Sequence, residues 1–80
     1  MKLEQAYEKY ADMLYRIALS HLKNHEDAED VVQEVFIKYM HHFMPFSDEK
    51  HEKAWLICVT ANRCHDLLRY KSRRKIQFVF

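Results

Sequence analysis

The chain has 80 residues, of which 49% are hydrophobic, with no glycine, a single proline and a formal net charge of +1. This is enough for one domain with one hydrophobic core, and the missing glycines disfavour a sheet built on tight hairpins, so we expect an all-α protein. No signal peptide opens the chain and no apolar run approaches the length of a membrane span, so we expect a cytoplasmic protein with no membrane partner.

Helical periodicity predicts a compact three-helix bundle, with helices at about residues 3–22, 25–43 and 48–74. Asn24 follows the break in the first pattern and is placed to cap the second helix by accepting a backbone N–H near Asp27. The first helix carries one apolar stripe at steps of three and four, formed by Leu3, Tyr7, Tyr10, Leu14 and Ile17.

The second predicted helix has one acidic and one apolar side. Residues 26–34 carry five acidic side chains and no lysine or arginine. Pro45 prevents the helix from continuing, and Ser47 or Asp48 then caps the third helix. The predicted buried face consists of Ala28, Val31, Val32, Val35, Phe36 and Tyr39.

The third predicted helix begins apolar and ends basic. Between Ala54 and Lys75 it holds six arginine or lysine residues against the single acidic Asp66. A basic helix end on an apolar anchor is suited to binding a polyanion, although a solvated helix end explains the same charges. Its predicted apolar stripe consists of Ala54, Ile57, Cys58, Ala61, Cys64 and Leu68.

Metal binding and catalysis find little support in the residues. None of the six histidines follows a glutamate by three positions, and neither His-Glu pair has the second histidine of a zinc-protease motif. Cys58 and Cys64 lie on the predicted apolar stripe, where buried, reduced and unreactive thiols are expected. We therefore predict a protein that is not an enzyme and uses no cofactor and no metal.

Phe46 lies in the short loop before the third helix and allows two interpretations. An unpaired base could stack on its ring while Asn62 reads the base and Arg63 holds a phosphate. Alternatively, Phe46 folds back onto the third helix as a hydrophobic staple.

Two segments together resemble region 2 of bacterial sigma factors, and in particular the extracytoplasmic-function (ECF) class. They are DAEDVVQEVFIKYM (residues 27–40) and, after the loop with Phe46, AWLICVTANRCHDLLRYKSRRK (residues 54–75). The stretch YADMLYRIALSHLKNHEDAED (residues 10–30) is similar to the first helix of that family. The resemblance implies a region 2 domain over residues 1–75, with residues 76–80 as the start of a linker or a truncated end.

The resemblance implies two partners. In that family the acidic second helix docks on the clamp coiled coil of the largest subunit of core RNA polymerase, and the matching positions here are Asp30, Gln33 and Glu34. The loop, here roughly residues 43–53, corresponds to the segment that captures a flipped base of the non-template strand in the promoter minus-ten element, with Phe46 and Ser47 at matching positions. The third helix faces the upstream edge of that element with Asn62, Arg63, Asp66 and Arg69, and its end reaches phosphates with Arg73, Arg74 and Lys75.

The implied function is to dock on polymerase, recognise the minus-ten element and help to melt it by trapping the opened strand. An anti-sigma protein is a further implied partner, since many members of the class are held inactive by one. The family's loop often carries glycine, whereas this loop has none.

Two alternatives remain open: a generic three-helix DNA-binding module, and a helical protein-interaction module without nucleic acid. Neither alternative has a use for an acidic helix beside DNA.

Overall fold

A computed structural model describes the backbone of residues 2–79 and the side chains of residues 2–72. Its helices are α1 (Lys2–Leu22), α2 (His25–Met40) and α3 (Glu49–Val79), and residues 2–79 contain no strand. The prediction of an all-α helical bundle is confirmed. None of the described helices combines the length and apolar character that a membrane crossing requires.

Contacts at both ends of the bundle fix the helix directions. Lys2, at the start of α1, lies over the ring of Phe46, just before α3 begins. At the other end, His21 of α1 contacts His65 of α3 with ring centroids 5.4 Å apart. The helices α1 and α3 therefore run in the same direction, and α2 returns between them.

The second helix ends earlier than predicted, at Met40 rather than at about residue 43. His41 closes it: its backbone N–H donates to the carbonyl oxygens of Ile37 and Lys38, and its Nδ1 donates to the Ile37 carbonyl oxygen over 2.9 Å. These bonds satisfy carbonyls that a helix end would otherwise leave unpaired. The loop consequently spans residues 41–48, while α3 runs beyond its predicted end at residue 74.

The core confirms the predicted buried face of α2 and corrects the predicted stripe of α1. All six predicted α2 residues are buried. Tyr7, however, is 51% exposed, while Leu3 and Ile17 are only partly buried. The buried side of α1 includes small alanines that let the helices approach closely, and its members are Ala6, Tyr10, Leu14, Ala18 and Leu22.

The predicted stripe of α3 is confirmed at Cys64 but wrong at most of its other positions. Among residues 49–72 of this helix the buried ones are Leu56, Thr60 and Cys64, whereas Ala54 and Cys58 are exposed. A threonine takes a core position because its hydroxyl donates to the Leu56 carbonyl oxygen over 2.8 Å, which satisfies the buried polar group. Leu68 is likewise exposed, because α3 leaves the bundle near that point.

Side-chain caps begin two of the helices. The Asn24 side-chain oxygen accepts the Asp27 backbone N–H over 3.0 Å, which confirms the predicted cap of α2. For α3, Asp48 takes this role, because its carboxylate accepts the His51 backbone N–H over 2.8 Å. Each cap satisfies one of the amide donors that a helix start leaves unpaired.

We predict that Asn24→Ala lowers the free energy of unfolding by about 1 kcal/mol, because the Asp27 amide loses its acceptor. Asn24→Asp is the matched control and keeps stability near wild type, since aspartate caps equally well. Urea denaturation followed by circular dichroism measures both. Equal stability of Asn24→Ala and wild type would show that the cap contributes nothing.

The two cysteines should differ in reactivity. Cys58 is exposed, whereas Cys64 is fully buried and burial raises the pKa of its thiol. We expect a maleimide to label one thiol rapidly in the native chain and both in urea, as counted by mass spectrometry. The control, Cys58→Ser, should remove the rapid labelling, and fast labelling of that variant would contradict the burial of Cys64.

Candidate nucleic-acid and partner-binding surfaces

The acidic helix and the basic helix contact each other directly. The guanidinium of Arg63 donates two hydrogen bonds to the Glu34 carboxylate, one from Nε and one from Nη2 to Oε1 over 3.4 Å. The hydrogen bond with Glu34 raises the pKa of Arg63. Nearer the end of α3, Lys71 pairs with Asp27 of α2. Glu34 and Arg63, which the sequence assigned to different partners, thus neutralise each other in the described structure.

The remaining polar residues of α2 face outward. Asp30 and Gln33, both predicted to bind polymerase, are exposed, as are Glu26 and Glu29. Three carboxylates and one amide therefore form an acidic surface, which we define as Glu26, Glu29, Asp30 and Gln33. This surface can contact a cationic partner without breaking either interhelical ion pair.

The distal part of α3 extends beyond the core. Residues 68–72 are all exposed, and Asn62 is exposed closer to the bundle. Arg69 donates to the Asp66 carboxylate over 2.5 Å in an exposed pair one turn apart. Such a pair is weak in water, so Arg69 is available to an anionic ligand. The side chains of residues 73–75, predicted to bind phosphates, lie outside the described residues.

Phe46 belongs to an aromatic cluster, which we define as Tyr39, His42, Phe46, His51 and Trp55. Its ring is stacked on His42 with centroids 4.7 Å apart, and its centroid lies 5.7 Å from that of Trp55. Tyr39 and the edge of His51 contact it as well. Phe46 is half-buried, so much of its surface is already used in packing.

Hydrogen bonds hold the loop against this cluster. The Ser47 backbone N–H donates to His51 Nδ1 over 3.0 Å, while Ser47 itself remains exposed. The Tyr39 hydroxyl donates to the Glu52 carboxylate over 2.7 Å, and burial together with this bond raises the pKa of Tyr39. The first bond therefore ties the loop to α3, and the second joins α2 to α3 beside the loop.

Sequence reasoning missed Phe43, which the structure leaves 95% exposed. The sequence placed it both at the end of the second helix and at the start of the base-capturing loop; α2 ends at Met40, so Phe43 belongs to the loop. Met44 beside it is 71% exposed. Among residues 2–72, no group of three histidine, cysteine or acidic side chains is arranged to hold a metal ion.

A family model described as Sigma-70 region 2 matches residues 6–74 of the chain. The chain belongs to the sigma-70 region 2 family. The predicted resemblance to the ECF class is also confirmed, because the similar curated proteins are named ECF RNA polymerase sigma factors. Sigma factors are transcription initiation factors and not enzymes.

Three of these relatives show the extent of the similarity. SigM of Bacillus subtilis is 33% identical over 69 residues, covering 86% of this chain and 42% of the relative. SigE of Mycolicibacterium smegmatis is 30% identical over 74 residues, which cover 92% of this chain and 28% of the relative. SigX of Bacillus subtilis is 29% identical over 63 residues, which cover 79% of this chain and 32% of the relative. The chain thus spans less than half the length of each relative, and no solved structure matches it.

In this region 2 chain, the pair between Glu34 and Arg63 should contribute to stability. Their side chains are 42% and 33% exposed, so we expect a coupling free energy of only about 0.5–1 kcal/mol. A double-mutant cycle with Glu34→Ala and Arg63→Ala, measured by urea denaturation, gives this value.

The coupling should shrink in 1 M salt, at a Debye length of about 3 Å, because the pair remains partly exposed to water. Asp66 and Arg69, a more exposed pair within α3, provide the matched comparison and should couple less strongly. Strictly additive effects of Glu34→Ala and Arg63→Ala would mean that the pair has no energetic role.

Proposed function

We propose that this chain, as a region 2 domain spanning about residues 1–75, docks on bacterial core RNA polymerase and recognises and helps to melt the promoter minus-ten element. The observation that carries the proposal is the presence of an exposed acidic face on α2 and an exposed basic segment of α3 in one small bundle of the sigma-70 region 2 family. A plain DNA-binding module has no use for the acidic face, which would repel phosphates.

The polymerase contact is assigned to the exposed residues of α2. Asp30 and Gln33 project into solvent, so a cationic or polar helix can reach them without rearranging the core. The clamp coiled coil of the largest subunit is the proposed partner surface. Glu34 has a different part in this proposal, because its carboxylate is held by Arg63 and orients α3 relative to α2.

The promoter contact is assigned to the loop and to α3. Asn62, Asp66 and Arg69 face solvent and are proposed to meet the upstream edge of the minus-ten element, while residues 73–75 add positive charge for phosphates. Ser47 and the aromatic residues of the loop are proposed to hold an unpaired base of the non-template strand. Binding the open strand more tightly than the duplex shifts the equilibrium towards melting, without nucleotide hydrolysis.

An anti-sigma protein that covers one of these surfaces would block the contact made there, and we include it as a proposed regulator. The proposed place of action is the cytoplasm, where polymerase and promoter meet.

The decisive experiment is retention of bacterial core RNA polymerase by the immobilised chain. We expect Asp30→Ala or Gln33→Ala to weaken retention by about fivefold or more, equivalent to about 1 kcal/mol, because each removes an exposed polar group from the proposed contact. Gln5→Ala is the matched control: Gln5 is an exposed glutamine on α1, beside Lys9 and Glu49.

Unchanged retention by Asp30→Ala and Gln33→Ala would move the docking surface elsewhere. If the wild-type chain retains no polymerase, the proposed function fails, and duplex DNA binding without polymerase would then favour the plain DNA-binding module.

A further inference from the structure

The most exposed large hydrophobic side chain in the described structure is Phe43, followed by Met44. Both belong to the loop and not to the core, together with the exposed Pro45. An almost completely exposed phenylalanine is unfavourable, because moving its apolar surface out of water would lower the free energy. A ligand with a flat apolar face would cover the ring and remove that surface from water.

A cleft of about 490 Å³ opens beside this ring. Lys2 and Leu3 of α1 line it together with Tyr39 and Met40 of α2, and loop residues 42–46, which include both Phe43 and Phe46, complete the lining. The cleft therefore combines apolar walls with a single cation. This is the chemistry that recognises a nucleotide, whose base is apolar on both faces and whose phosphate is anionic.

Lys2 is the only lysine, arginine or acidic residue that lines the cleft. Three acidic residues begin α3 nearby, and each is already engaged. Glu49 pairs with Lys9 over 2.9 Å, Glu52 accepts the Tyr39 hydroxyl, and Asp48 caps α3. Lys2, in contrast, forms no ion pair within the described residues and lies 5.9 Å from the ring centroid of Phe46.

Phe46 is less suited to stack on a base than its position in the loop implied. One face of its ring is stacked on His42, and Trp55 and Tyr39 pack around it. Removing Phe46 from the aromatic cluster to hold a base would break these contacts. Phe43 can stack on a ligand without breaking any packing of that kind.

We propose that Phe43 is the aromatic residue that stacks on an unpaired base, with the base in the cleft and Lys2 beside its phosphate. Phe46 then acts as a positioning residue that fixes the loop to α2 and α3. This inference rests on the proposed function and names the residues that hold the open strand.

The test is an NMR titration of the complete chain with a single-stranded oligodeoxynucleotide of mixed sequence and with the corresponding duplex. We expect the single strand to shift the signals of Lys2, Phe43 and Met44 and to bind more tightly than the duplex. Phe43→Ala should weaken strand binding about tenfold, while Phe43→Trp should retain it, because stacking needs only an aromatic ring.

Ile37→Ala is the matched control, since Ile37 is a 55% exposed apolar residue of α2 outside the cleft, and it should bind like wild type. Phe46→Ala should lower the melting temperature, whereas Phe43→Ala should leave it unchanged. Circular dichroism therefore separates a folding defect from a loss of binding.

Three results would overturn the inference. Wild-type affinity of Phe43→Ala, with weaker binding by a folded Phe46→Ala, would return the stacking role to Phe46. Concentration-dependent broadening of the Phe43 and Met44 signals without DNA would assign the cleft to a second copy of the chain. Polymerase retention without any strand-induced shift at the cleft would reject this site while leaving the proposed docking intact.

Discussion

The apolar face of α2 is the constraint on which the rest of the structure depends. Val31 and Val35 are almost completely buried between α1 and α3, and burying each such side chain contributes about 1.5–3 kcal/mol. Successive residues of a helix are about 100° apart, so turning α2 by one position would move carboxylates into the core. The buried face therefore fixes which residues face outward, and Asp30 and Gln33 are exposed as a consequence.

The ion pairs between α2 and α3 determine which charges remain for partners. Glu34 with Arg63 and Asp27 with Lys71 neutralise each other across the helix interface. These pairs are partly exposed, so they add little stability, but they remove charge from both helices where the helices meet. The acidic surface that remains lies beside the Asp27 and Glu34 positions on α2 and is exposed to solvent. A cationic partner can therefore approach this surface without breaking either pair.

The sequence predicted the parts of the fold that depend on local pattern. Six closely spaced apolar residues gave the buried face of α2, and Asn24 followed a clear break in helical periodicity. The apolar stripe of α3 was misplaced because Thr60 occupies one of the buried positions of this helix. Its hydroxyl donates to the carbonyl oxygen of Leu56 in the same helix. The pair between Glu34 and Arg63 spans 29 positions, so no local pattern could reveal it. Phe43 was placed on the boundary between helix and loop, and it lies in the loop because His41 caps α2.

The loop can take its conformation without the glycine that related loops often carry. Glycine is needed where the backbone enters the left-handed region, and Lys23 is the only residue of the described part with a positive φ, at 55°. The ends of the loop are fixed instead by side chains: His41 on the α2 side, His51 on the α3 side, and Phe46 in the aromatic cluster between them. A short segment whose backbone is fixed at three points loses little further backbone entropy when it binds a ligand.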